Sequence, residues 1–306
     1  MSLLVVGSLA LDTIETPFGK REYILGGSAT YISIAASYFS KDIRLVGTVG
    51  YDFPEKELKY FQSRGIDISG ITINNSEKTF HWHGVYHTDM NTRDSITTDL
   101  NAFAYFDPII SEKFRNSELV CLGNVDPVIQ GKIIKQLNNP KFVMIDTMNF
   151  WIDGKPDILR EVLGRVNLIV LNDEEARLLS GENNILLAAK KIMELGPKTL
   201  IIKKGEHGAM LFKDENIFFV PAVPLSTVID PTGAGDTFAG GFIGWLSRTN
   251  DLSFENMKNA VVFGTVIASL TCEDFSVEGL RDLKHEVIES RLRHLKAITD
   301  FQIPGF

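Results

Sequence analysis

The sequence predicts an α/β protein built on a doubly wound, mostly parallel sheet, with a small second layer of β-strands as a lid. Three observations predict it. Short apolar runs alternate with amphipathic segments, polar residues gather where those runs end, and two polar, β-prone insertions interrupt the alternation. The runs are 3–6, 44–49, 119–122, 142–145, 168–171 and 200–202. They are rich in Val, Ile and Leu without strict alternation, as expected of strands buried on both faces. Between them lie amphipathic segments near 29–39, 55–63, 128–137, 156–163 and 185–195. That order implies parallel strands joined by right-handed crossovers. Segments 209–213 and 217–220 flank Asp214-Glu215-Asn216 and read as a hairpin at the sheet edge, and from Gly235 onward the chain reads as mainly helical.

The insertions are 13–25 and 72–99. Alternation such as Thr79-Phe80-His81-Trp82-His83-Gly84-Val85-Tyr86 marks antiparallel strands, with a hairpin tip at 88–93. Strands inserted there can form a lid over a site. No linker or internal repeat divides the chain, so residues 1–306 read as a single domain.

Composition excludes several classes. With 44% hydrophobic and 23% charged residues the chain buries an ordinary core. A formal net charge of -8 argues against a nucleic-acid partner. No apolar run reaches the roughly 18 residues that span a bilayer, and Met1 to Leu11 read as a first buried strand rather than a signal peptide. The two cysteines, Cys121 and Cys272, sit in apolar runs without zinc-type spacing and read as buried free thiols of a cytoplasmic protein.

The strand ends carry Asp12, Asn124, Asp146, Asn172 and Lys204-Gly205. Ligands of open α/β sheets bind outside the carboxyl ends of the strands. The most informative stretch is Asp230-Pro231-Thr232-Gly233-Ala234-Gly235-Asp236, followed directly by a helical pattern. Its glycines allow a tight turn and close approach to a ligand, and the free amides of a helix start bind anions. A carboxylate at that terminus repels a bound phosphate. The conflict resolves if Asp236 is a base that orients an acceptor hydroxyl and takes its proton during phosphoryl transfer, with the Gly233, Ala234 and Gly235 amides stabilising the transferring group. An N-capped helix after a turn accounts for the local pattern equally well.

Asp230 to Asp236 resembles the carboxyl-terminal signature of the ribokinase-like, or PfkB, carbohydrate kinases, which usually read Asp-Thr-x-Gly-Ala-Gly-Asp. Gly7-Ser8-Leu9-Ala10-Leu11-Asp12 is similar to the family's opening strand and loop, Gly26-Gly27 to its paired glycines, and 47–52 to the segment that follows. Asn172-Asp173-Glu174-Glu175 matches the family's Asn-x-x-Glu, and Lys203-Lys204-Gly205-Glu206-His207-Gly208 resembles its nucleotide loop. Six such segments occur in order over residues 1–275.

The resemblance implies a ribokinase-like fold and an ATP- and Mg²⁺-dependent kinase acting on a hydroxyl of a small sugar-like molecule. It implies Asp236 as catalytic base, and Asp12, Gly26, Gly27 and Tyr31 at the substrate. It places Asn172, Lys203, Gly205, Gly208, Thr232 and Asn259 at the nucleotide and Glu175 at Mg²⁺. By the same resemblance Val223, Phe263 and Phe275 would join Asn259 around adenine, and a homodimer through the lid is what it suggests. Tyr31 stands where the family commonly has Asn, and Phe80, Trp82 and Tyr86 suit a flat group, which raises a nucleoside as acceptor. Arg93 and Lys78 are the lid candidates for the fixed cations that a sugar phosphate needs, though a solvated face accounts for them more simply, and His81, His83 and His87 share one strand face without completing a ligand set. A catalytically silent ligand-binding protein is the alternative of a different class. No Gly-x-Gly-x-x-Gly follows the first strand and no P-loop motif occurs.

Overall fold

The structure is a computed structural model in which residues 1–302 are described, so 303–306 of the expected domain lie outside the described residues. In chain order its strands are β1 (Leu3–Val6), β2 (Ala10–Thr16), β3 (Gly19–Gly26), β4 (Ile43–Gly50), β5 (Ile66–Asn74), β6 (His81–Tyr86) and β7 (Arg93–Asp99). There follow β8 (Leu119–Leu122), β9 (Phe142–Asp146), β10 (Leu168–Asn172), β11 (Thr199–Lys203), β12 (Ala209–Lys213) and β13 (Asn216–Val220). Each apolar run of the sequence lies within one of them.

Among the described residues the large sheet has the order β13-β12-β11-β10-β9-β8-β1-β4-β5. Neighbours from β5 to β11 pair in parallel, while β12 and β13 form the expected antiparallel edge hairpin. Both faces are buried. Leu3 and Val5 enter one core and Leu4 and Val6 the other, which is why β1 shows no apolar-polar alternation.

The small sheet has the order β3-β2-β6-β7. Its two hairpins are antiparallel, but β2 and β6 that join them run parallel, which corrects the wholly antiparallel expectation. The reason is directional: β2 continues from β1 and β6 from β5, and both leave the same edge of a parallel sheet. Residues 72–74 of the expected insertion complete β5 of the large sheet.

The helix Ser28–Ala36 packs on the helix Ala234–Thr249 at close range. A Cβ on Gly240 would meet the Ile32 carbonyl and lie 2.8 Å from the Ala35 side chain, and one on Gly244 would lie 2.8 Å from the Ala36 Cα. This contact fixes where the Ala234 helix begins, above the carboxyl edge of the sheet. Gly240→Val forces the helices apart and is expected to cost about 1–3 kcal/mol by urea denaturation; a variant as stable as the wild type contradicts the close approach.

Candidate active site

Three adjacent strands deliver polar residues to one edge. Asp146 ends β9, Asn172 ends β10 and Lys203 ends β11. The Lys203 side chain reaches over β10, and its Nζ donates to Asp146 Oδ2 at 3.2 Å. Asn172 then starts the helix Asp173–Ser180 as a capping box: its Oδ1 accepts from the Glu175 amide at 2.8 Å, and Glu175 Oε2 accepts from the Asn172 amide at 2.8 Å. The cap engages one oxygen of each side chain.

The segment 230–236 closes over this edge. Asp230 is fully buried; its Oδ1 accepts from the Thr232 amide at 2.8 Å and its Oδ2 from the Ser276 amide at 3.0 Å. Gly233 has φ +75, and a Cβ there would run into the Tyr31 ring, so both the backbone and the space require glycine. The Ala234 amide donates to the Pro231 carbonyl at 3.2 Å. This refines the expected donor set: among the described residues the Gly233, Gly235 and Asp236 amides carry no backbone hydrogen bond, whereas that of Ala234 is engaged. Lys203 Nζ lies 2.9 Å from where a Gly235 Cβ would stand, so an ammonium faces those free amides.

Four charges therefore meet. Burial, then repulsion from Asp146, raises the Asp236 carboxyl to about 7 against the opposing pull of Lys203. Burial and Asp146 likewise raise Glu175 to about 7. For Lys203, burial opposes the charged form, but Asp146, Glu175 and Asp236 together hold its pKa above the ordinary value. Asp236 is half-buried, open to the cleft yet surrounded by protein.

At the other end of the cleft, Asp12 is 5% exposed and its Oδ1 has no hydrogen-bond partner. Burial, with Asp230 and Asp236 adding repulsion, raises it to about 8. An orphaned buried carboxylate oxygen costs free energy unless something else pairs with it. Gly26 packs directly on that carboxyl, and Gly27, φ +93, packs on the Ser8 carbonyl. Tyr31 is 2% exposed and lies behind Gly233 with its ring walled in. The lid closes this end through Tyr86, Ile14 and Phe275, which cluster together, and through Arg21, 4.8 Å from the Phe275 ring centroid. Thr232 Oγ1 donates to the Tyr86 hydroxyl at 3.1 Å.

The structure thus brings Asp12, Gly26, Gly27, Tyr31, Asn172, Glu175, Lys203, Thr232 and 233–236 to one edge. Gly205 (φ +53) and Gly208 (φ +102) shape the loop after β11. Asn259 is exposed on the helix Phe254–Thr271, and at 1.5 Å per residue it lies ~18 Å along that helix from Thr271. Thr271 is the end that reaches the site, where its Oγ1 donates to Thr237 Oγ1 at 3.1 Å. Phe263 stacks on Trp245 at 3.8 Å and packs on Phe39, Phe275 sits under the lid, and Val223 is buried. The lid histidines are engaged separately, with Thr13, Glu15 and Asp94. The sequence placed Asp146 at a strand end and Asp230 in the glycine-rich stretch but gave neither a role; the structure pairs Asp146 with Lys203 and ties Asp230 to the backbone amides of Thr232 and Ser276. Two surface concavities, about 460 and 960 Å³, lie at the other end of the sheet beside Tyr38, Met1 and Glu118.

A carboxylate and free amides at a helix start, facing a lysine across the carboxyl edge of a parallel sheet, suit phosphoryl transfer. The family model of the pfkB family carbohydrate kinases matches residues 2–280. The chain belongs to this family and is an ATP-dependent phosphotransferase. A cytidine kinase of Thermococcus kodakarensis is 30% identical over 82% of this chain and 91% of its own length. A nucleoside kinase of Methanocaldococcus jannaschii is 24% identical over 85% of this chain and 84% of its own. The crystal structure of the latter, described as an archaeal member of the ribokinase family, overlays with a TM-score of 0.78, covering 96% of this chain and 98% of that one. A putative ribokinase II from E. coli in complex with ATP and Mg²⁺ overlays at 0.80 with 19% identity, over 95% and 99% of the two chains. Among the described residues no helix is long and apolar enough to cross a membrane.

The raised Asp12 pKa has a signed consequence. The folded protein keeps a proton that the unfolded chain gives up near pH 4. That contribution to stability is full below about pH 4 and is lost as pH rises through about 8. Asn stays neutral throughout. The melting temperature of Asp12→Asn minus that of wild type is therefore expected to grow from pH 5 to pH 8, by a few degrees or more; a pH-independent difference contradicts the burial of a titrating carboxyl.

Proposed function

We propose that this protein is a Mg·ATP-dependent nucleoside kinase, with Asp236 as the base that activates a ribose hydroxyl. One observation carries the reading. The Asp236 carboxyl, raised to about 7, stands beside two unengaged amides and the Lys203 ammonium. A base works best when its pKa lies near the working pH.

The residues present fit the nucleotide and its metal. The free amides of Gly235 and Asp236, the helix dipole and Lys203 suit a phosphoryl group. Among the described residues no three His, Cys, Asp or Glu side chains converge as a metal site. Asp146, Glu175 and Asn172 fit Mg²⁺ held largely through its own waters, as that ion prefers. When bound, Mg²⁺ supplies positive charge against the terminal phosphates of ATP. Asp236 accepts the proton of the acceptor hydroxyl as the new oxygen–phosphorus bond forms. The bond from the γ-phosphorus to the bridging oxygen breaks, and ADP leaves with that electron pair. Gly235 and Asp236 amides hold the charge on the transferring oxygens. Asp12, with an orphaned oxygen, is the group to accept from a ribose hydroxyl.

A nucleoside is favoured over a free sugar by the aromatic cleft face of the lid, Trp82 and Tyr86, and by the relatives named cytidine kinase and nucleoside kinase. Tyr23 on the free edge β3, Ile96 on the free edge β7 and Phe18 in the turn that precedes β3 are exposed and support pairing of two copies through the lid. Two free cysteines suit a reducing cytoplasm.

The test is ADP release with Mg·ATP over a panel of nucleosides, sugars and sugar phosphates. Turnover is expected with nucleosides, cytidine first. Asp236→Asn is expected to lower kcat by about 100-fold or more with ATP affinity nearly unchanged. Near-wild-type turnover in that variant removes Asp236 from the role, and turnover with sugars alone removes the nucleoside.

A further inference from the structure

The inner face of the lid is marked by Tyr86, whose hydroxyl accepts from Thr232 of the glycine-rich loop. Side chains two residues apart on a strand share a face, so Trp82 and Gly84 of β6 look the same way. Gly84 leaves a trough there, with Ile14 of β2 opposite it on one side and Ser95 of β7 on the other. The Trp82 indole lies in that trough. A Cβ on Gly84 would stand 2.1 Å from Cη2 of the ring, 2.4 Å from Cζ2 and 2.7 Å from Cζ3. Three adjacent ring atoms at such similar distances mean that the glycine meets the face of the indole and not its edge. Nε1 donates to Ser95 Oγ at 3.1 Å and pins the ring in place.

The other aromatic rings nearby have their faces covered. Tyr86 and Phe275 are buried, and Phe80 stacks on Phe103 with centroids 5.6 Å apart. Trp82 packs on the cluster of Ile14, Tyr86 and Phe275 and is still only half-buried. One face of its ring rests on Gly84, so the opposite face looks away from the sheet, toward the cleft. The Arg93 guanidinium is 5.8 Å from the ring centroid. That is too far to cover the face, since atoms in contact lie about 3.5–4.0 Å apart.

Trp82 also stands next to the residue assigned to the ribose. Its backbone amide faces the Asp12 carboxyl and favours the charged form, and Asp12 Oδ1 is the buried oxygen without a partner. An acceptor held at Asp12 therefore carries whatever is attached to its sugar alongside the indole. A flat heteroaromatic group is the attachment that a flat, fixed ring recognises, because stacking needs only a π-face on each side.

We propose that Trp82 is the platform on which the base of the acceptor nucleoside stacks, with Gly84 and Ser95 as the residues that position its ring. This rests on the nucleoside-kinase reading above and adds to it the group that selects for a base. A bare sugar forfeits the contact. Stacking is the same before and during phosphoryl transfer, so its loss raises KM and leaves kcat in place. Trp82 makes no covalent bond and moves no proton.

The experiment titrates the tryptophan fluorescence of wild type and Trp82→Phe with cytidine, and with D-ribose as the control. Steady-state kinetics with Mg·ATP and cytidine, and thermal unfolding, follow for both and for Trp82→Ala and Gly84→Ala. Cytidine is expected to quench the wild type where D-ribose does not. Trp82→Phe is expected to lose that quenching although Trp151 and Trp245 remain. Trp82→Ala is expected to raise the cytidine KM about tenfold or more with kcat nearly unchanged. Trp82→Phe, which keeps a ring without the Nε1 anchor, is expected to fall between. Gly84→Ala keeps the indole but lifts it from the sheet, and is expected to raise KM as well. Cytidine quenching that persists in Trp82→Phe overturns the inference. So does an unchanged cytidine KM in Trp82→Ala, and a lowered melting temperature beside that unchanged KM would make Trp82 a packing residue of the lid. A wild type that phosphorylates sugars and no nucleoside overturns the nucleoside reading, and this role with it. A wild type active on cytidine with an indifferent Trp82→Ala overturns the role alone.

Discussion

The ammonium of Lys203 lies among the carboxylates of Asp146, Glu175 and Asp236, and the rest of the site depends on that arrangement. A pair of unit charges at 4 Å interacts by about 4 kcal/mol at the effective dielectric of such a place. Without the lysine, three carboxylates would face one another beside the bound phosphates. With it, Asp146 is paired directly, while the Asp236 and Glu175 carboxyls, raised by burial and by Asp146, are held down to about 7. The same ammonium faces the free amides at the start of the Ala234 helix, so one cation serves both the base and the phosphate site.

The fold supplies this geometry through three neighbouring parallel strands. Because β9, β10 and β11 are adjacent and end together, Asp146, Asn172 and Lys203 arrive in one row. The helix that carries Asp236 is held above the row by close packing at Gly240 and Gly244, and its first turn is set by Gly233 against Tyr31. Tyr31 thus serves the loop from behind, while Asp230, buried and doubly bonded to backbone amides, ties the same loop to 276. The lid completes the enclosure, with Tyr86 on Thr232 and Asn91 beside Glu206.

Much of this was legible in the chain, because runs such as 3–6 and 168–171 are long enough and apolar enough to be strands in any context. Local signals also marked the Gly233–Asp236 turn and the capping box at Asn172. What escaped depended on pairing between distant segments. The parallel β2/β6 contact follows from which sheet edge both strands leave. The partnership of Asp146 with Lys203 follows from strand order, which no local pattern encodes. Apolar and amide residues on a long helix are the hardest case. Asn259 and Phe263 share one helix, yet one is exposed and the other packs on Trp245, and neither outcome shows in the spacing.

The most direct measurement is a ¹³C NMR titration of the carboxylates in the ligand-free protein, with the Asp236 resonance identified by its loss in Asp236→Asn. A midpoint near 7 that moves higher in Lys203→Met is the predicted result. A midpoint near 4, or one indifferent to the loss of the lysine, would contradict the account.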